Sequence, residues 1–220
     1  MSGIKQLAGQ TLWYGVPTIA SRFLGYIMNM ALPFFIPLPE NTADLVQVYT
    51  LIPFLNILYA YGLETAYFRF SQTHDRSKLY STLSLSLMLS TVLFTAILLI
   101  FKSNIIDATD LEKNPGFITW MILIIAIDNF NTLPFAKLRQ ENRPKRYAFA
   151  RLSGIVINVT VVIFFMGVVP SVIKSNPDSL LNLIYDPSIG LGYYLLGNIC
   201  GSLFTLLVLS KRDCSDKIFF

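Results

Sequence analysis

An all-α polytopic membrane protein is the fold class this sequence predicts, and three observations predict it. Of 220 residues, 54% are hydrophobic and 14% charged, with a mean hydropathy of +0.56, more apolar than an ordinary soluble domain. The apolar residues gather in six runs, at about 10–37, 45–69, 79–101, 117–137, 147–169 and 189–210. Each is long enough to cross a hydrocarbon core of ~30 Å as a helix rising ~1.5 Å per residue. Third, Lys and Arg concentrate between alternate runs. With the N-terminus inside, thirteen of them, from Lys5 to Lys217, lie on or near the cytoplasmic side, and only Lys102, Lys113 and Lys174 face out. That asymmetry favours an even number of crossings with both termini cytoplasmic.

The same reading disposes of other classes. A net charge of +4 and a pI near 9.0 resemble those of a nucleic-acid binder, but topology accounts for the basic residues, so no nucleic-acid partner is expected. The first run is longer than a signal h-region and no A-x-A site follows it, so it is expected to be retained. Cys200 and Cys214 make neither a metal cluster nor a disulfide framework. No cofactor and no metal are expected.

The first run carries the anomaly. Residues 12–36 are apolar except for a stripe of Thr18, Arg22, Gly25 and Asn29 at offsets of 4, 3 and 4, which share one helix face. An arginine facing lipid costs from about 2.5 to more than 10 kcal/mol, so Arg22 is expected to face a protein-lined or watery interior that receives an anion. The short loop 37–44 follows. In the second run Pro53 and Gly62 permit a bend, Asn56 adds an amide, and Glu64 stands near the cytoplasmic end ahead of Arg69. Glu64 has two readings, a partner for Arg69 or Arg22, or a protonatable or cation-coupling carboxylate.

The third run places Ser84, Thr91 and Thr95 on one face, read as hydroxyls that bond to their own backbone or a neighbouring helix. Loop 102–116 is acidic and outward. The fourth run holds a second intramembrane charge, Asp128, which with Asn131 and Thr132 makes an i, i+3, i+4 patch ahead of Pro134. Arg22 and Asp128 are the natural buried pair, structural or functional. The basic loop 138–146 reads as a positive-inside stop in contact with anionic lipid. The fifth run contains Ser153, Gly154, Asn158 and Thr160, and loop 169–188, broken by Pro170, Pro177 and Pro187, is expected to hold a short turn near 180–185. In the sixth run Gly197, Gly201 and Thr205 repeat at a spacing that lets helices approach closely.

Enzymatic chemistry finds no support. There is no H-E-x-x-H, no Walker loop, no G-x-S-x-G and no acidic pair at a membrane boundary of the kind a membrane glycosyltransferase uses, so no enzyme is expected. A buried cation, a buried anion and several amides suit holding or moving a polar anionic solute.

Two segments carry a resemblance. Residues 21–26, Ser-Arg-Phe-Leu-Gly-Tyr, resemble the S-R-x-L-G pattern in the first helices of the multidrug/oligosaccharidyl-lipid/polysaccharide exporter superfamily, and residues 61–70 are similar to the end of its second helix. The basic connection 137–147 looks similar in the same way. The chain thus resembles the N-terminal half of a Wzx-type polysaccharide flippase, one six-helix lobe (1–212) of a twelve-to-fourteen-helix exporter. Lys211, Arg212 and Asp213 resemble the start of the inter-lobe linker, and 213–220 would be that linker or a cytoplasmic tail. The resemblance implies alternating-access export of a polyprenyl-pyrophosphate-linked oligosaccharide across the bacterial inner membrane, in polysaccharide or lipopolysaccharide (O-antigen) biosynthesis. Arg22 would hold the pyrophosphate. Arg22, Asn29, Asn56, Glu64, Asp128 and Asn131 are the candidate substrate-binding residues. The partners implied are the lipid-linked oligosaccharide, the bilayer and either a second lobe or a second copy. A multidrug cation antiporter lobe, motivated by Asp128 and Glu64, and an inactive truncated fragment are the alternatives.

Overall fold

The computed structural model describes residues 12, 15, 16, 19, 20, 23, 40–176 and 180–216, with the side chains at 40, 41 and 211–216 left aside. The stripe of Thr18, Arg22, Gly25 and Asn29 lies outside the described residues. Among the described residues the structure is helical, with no strand. Five helical stretches, 42–70, 76–100, 116–140, 144–175 and 192–210, are long and apolar enough to cross a membrane.

The first of these is two helices, α1 (Glu40–Ala60) and α2 (Leu63–Phe70). Pro53 is accommodated inside α1. The break comes at Tyr61 and Gly62, whose φ angles are +28° and +77°. Gly62 takes the left-handed conformation without a Cβ penalty, whereas Tyr61 bears it. A turn at 71–75 leads to α3 (Arg76–Ile100), where the Asp75 carboxylate accepts from the Ser77 and Lys78 amides at 2.9 and 3.4 Å, a two-donor N-cap.

Loop 102–116 is more ordered than its composition foretells. It begins with a short helix, α4 (Lys102–Ala108), buries Leu111 completely, and is tied to α1 by Asn114 Nδ2 donating to Asp44 at 2.8 Å. The next two helices, α5 (Gly116–Gln140) and α6 (Pro144–Ile163), consume most of the basic loop 138–146. Only 141–143 remain as a turn, with Asn142 left-handed at φ +53° and Pro144 at the first helical position, where its missing N–H costs nothing.

The fifth span also runs past its expected end. A π-helical turn, Phe164–Val168, links α6 to α7 (Val169–Ser175), so Pro170 sits inside a continuous helical path. The wider π turn contains Met166, the residue whose carbonyl the Pro170 ring would crowd. Beyond the expected 3₁₀ turn, Leu180–Leu183, a second one at Pro187–Ile189 leads into α8 (Gly192–Asp216).

α5 is the axis of the bundle. Ile118, Met121, Ile122 and Ile125 on α5 are fully buried, with Val48 of α1 and Leu195 of α8 in the same cluster. α6 and α8 pack through a seam of small residues. A Cβ at Gly154 would meet Thr205 Oγ1, and one at Gly201 would meet the Gly154 carbonyl, so these helices touch nearly backbone to backbone. The hydroxyls of α3 behave as read. Thr91 Oγ1 donates to its own Leu87 carbonyl at 2.6 Å, and Thr95 meets the Tyr59 hydroxyl of α1 at 3.2 Å.

Candidate functional site

Polar side chains from α1, α2, α5, α6 and α8 converge on two adjoining cavities. The larger, about 340 Å³, is lined by Asn56, Glu64, Asp128 and Asn131, together with Arg139 and Arg151. Four of the six residues singled out in the sequence therefore share one wall, while the other two, Arg22 and Asn29, lie outside the described residues. The smaller cavity, about 190 Å³, is bounded by Asp128, Asn131, Arg151, Asn158, Asn198 and Thr205, among others. Asp128, Asn131 and Arg151 belong to both.

Asp128 is held from α8, where Ser202 Oγ donates to its Oδ1 at 2.5 Å. One turn on, Asn131 Nδ2 donates to the Ser202 carbonyl at 3.1 Å, which fixes that amide's orientation. Its Oδ1 is buried and has no hydrogen-bond partner among the described residues, a state that costs about 1–3 kcal/mol. Asn129, which also borders the larger cavity, spends its amide nitrogen on α3 and α1, with Nδ2 donating to Thr91 Oγ1 at 2.6 Å and to the Tyr59 carbonyl at 3.4 Å. Between α6 and α8 an amide chain borders the smaller cavity and ends on α1. Asn158 Nδ2 donates to Asn198 Oδ1 at 2.5 Å, and Asn198 Nδ2 donates to the Tyr49 hydroxyl. Tyr49 is itself braced edge-to-face by Tyr194, with centroids 5.5 Å apart.

Of the two partners expected for Glu64, Arg22 lies outside the described residues and Arg69 is not the one it pairs with. Its carboxylate is 2.7 Å from Arg139, while Arg69 is exposed. The break at Tyr61 and Gly62 explains the choice, because it turns α2 so that Glu64 faces α5. Arg139 also lies 5.8 Å from the ring centroids of Phe68 and Tyr147, and Arg151 lies 5.0 Å from that of Phe135. Aromatic faces thus hold both guanidinium groups at the cavity. Asp128 forms no ion pair among the described residues; Arg151 is the cation whose charge it feels.

The arginines are what the sequence reading missed, having assigned both to topology. A signal was there. Asp128, Asn131, Phe135 and Arg139 follow offsets of 3, 4 and 4 on α5, and Arg151, Gly154 and Asn158 follow 3 and 4 on α6, so each set forms one helical stripe. No cluster of metal-ligating side chains occurs among the described residues.

Among the described residues the fold is all-helical, and its long apolar helices line a charged, amide-rich cavity. Compared with known proteins, it matches no family model, no curated protein and no solved structure.

Proposed function

We propose that this chain is a six-span lobe of a bacterial inner-membrane exporter. It moves a polyprenyl-pyrophosphate-linked oligosaccharide by alternating access, with both termini cytoplasmic and the pyrophosphate meeting the arginine within the first span, Arg22, and the cavity arginines. The observation that carries the reading is the gathering of Asn56, Glu64, Asp128 and Asn131 in one cavity with Arg139 and Arg151. Guanidinium groups give forked hydrogen bonds to phosphate oxygens. Amide and carboxylate side chains beside them match the hydroxyls of a sugar. Arg22, whose span is apolar apart from its polar stripe, is the third cation of this reading, and a second lobe or a second copy supplies the facing wall.

Binding to the purified chain in detergent tests this without requiring a complete transporter. Polyprenyl pyrophosphate is expected to bind at least tenfold more tightly than the corresponding polyprenol, and Arg151→Gln or Arg22→Ala to remove most of that difference. Equal binding of pyrophosphate and alcohol by the unaltered chain would sink the proposal. One observation favours a second reading, a lobe of a cation antiporter. Asp128, a carboxylate, and the Asn131 side chain, whose buried Oδ1 has no partner among the described residues, belong to the same lining, and both groups carry acceptor oxygens. In that case an organic cation would bind, and Asp128→Asn would abolish its binding while Arg151→Gln would not.

A further inference from the structure

A separate groove lies on the outer face of α6. Ala148, Phe149, Leu152, Val156 and Ile157, with Phe204 of α8 opposite, line a cavity of about 600 Å³ that has Lys145 at one end. These α6 positions fall at offsets of 1, 3, 4 and 1, which keeps them on one side of the helix. Phe149 and Val156 are more than half exposed, so the groove is open, and apart from Lys145 and Ser153 its lining is entirely apolar. It shares no residue with the two polar cavities.

Length and charge together name the occupant. From Lys145 to Ile157 the helix rises about 18 Å at ~1.5 Å per residue, close to the half-thickness of a hydrocarbon core of ~30 Å. Lys145 therefore stands at headgroup level when Ile157 stands near the bilayer midplane. It is exposed, forms no ion pair among the described residues, and belongs to the basic run at 143–146. A flexible apolar slot one leaflet long, with an ammonium at its interfacial end, complements an anionic phospholipid.

We infer that this groove is a binding site for an anionic phospholipid of the leaflet on the Lys145 side, the acyl chain lying along α6 and the phosphate on the Lys145 ammonium. The inference rests on the membrane reading of the helices but not on the exported substrate.

The test uses the full chain, first shown to resist alkaline extraction from membranes, so that failure of the membrane reading is seen separately. Its thermal midpoint in detergent is then measured with added phosphatidylglycerol or phosphatidylcholine. Phosphatidylglycerol is expected to raise the midpoint more. Lys145→Gln should at least halve the excess, Lys145→Arg should keep it, and Lys78→Gln, a basic residue away from the groove, should leave it intact. Ile157→Trp, which fills the far end, should lower the number of phosphatidylglycerol molecules retained in native mass spectra. Equal shifts with the two lipids would overturn the inference. So would an equal loss in Lys78→Gln, meaning unspecific surface charge, or displacement of the retained lipid by stoichiometric polyprenyl phosphate, meaning a site for the carrier.

Discussion

Helices α3 and α5 have the same length, 25 residues, and both are apolar enough to cross a membrane, yet they hold opposite places in the structure. α3 is the more hydropathic of the two, and only Leu87 and Thr91 along it are buried. Its Leu85, Leu89, Val92 and Ile100 are exposed. α5 buries eleven residues and touches α1, α2, α3, α4, α6 and α8. What separates them is mid-helix polarity, because α5 carries Asp128, Asn129, Asn131 and Thr132 in its middle, where α3, beyond Arg76 and Lys78 in its first turn, carries only hydroxyls. Lipid tails are as apolar as leucine, so hydropathy alone gives no reason for a membrane helix to seek the centre. Charges and amides do, since facing lipid is costly for them.

Substitutions can break or sharpen this contrast. A large effect is expected at the seam through which α6 and α8 frame the cavity. Gly201→Val presses a side chain against the Gly154 carbonyl, and overpacking of that kind costs about 1–3 kcal/mol or more. A thermal midpoint lowered by several degrees checks it, and one unchanged would mean that the helices do not approach as described. Next comes a matched pair of truncations. Met121→Ala, at a fully buried site on α5, should cost about 2–5 kcal/mol, whereas Leu89→Ala on the exposed face of α3 should lie within about 0.5 kcal/mol of zero. Equal costs, measured by reversible unfolding in mixed micelles, would erase the distinction between the two helices. Asn129→Leu should cost about 1–3 kcal/mol, because it strips Thr91 and the Tyr59 carbonyl of a buried donor.

Smaller still is the Glu64–Arg139 pair, with both side chains about a third exposed. A double-mutant cycle with Glu64→Gln and Arg139→Gln should return a coupling of about 0–1 kcal/mol. The smallest effect is expected at the cap of the last 3₁₀ turn. There the Ser188 amide donates to the Asp186 carboxylate at 2.9 Å, and that hydrogen bonding holds the carboxyl below its ordinary value. A lowered value in the fold means a contribution present above the unfolded value of about 3.9 and lost as pH falls through the folded one. The Ser188 amide resonance should therefore titrate with a midpoint below that of an unstructured aspartate.

The contrast also shows what sequence can deliver. The spans from 45 to 210 were legible from hydropathy, and Asn56, Glu64, Asp128 and Asn131 were legible as polar exceptions within them. Where the chain would turn was less so. Pro170 reads as a terminus, yet a π turn carries the helix through it, and Glu64 reads as a neighbour of Arg69 until the backbone break re-aims it at Arg139. Arg139 and Arg151 were hidden by an adequate simpler explanation, the positive-inside bias, although a residue can satisfy topology and line a cavity at once. The buried Asn131 oxygen without a partner could not have been read at all, since it depends on which way an amide is turned by the Ser202 carbonyl.

The two left-handed residues at 61 and 62 reach beyond packing. An unbroken rod must transmit any tilt along its whole length, but here a joint of two residues separates a helix of 21 residues from an arm of 8. The short arm carries Glu64 at its near end, where a few degrees of rotation displace the carboxylate far less than they displace Phe70 at the tip. Arg139 therefore grips the short arm where a given rotation moves it least.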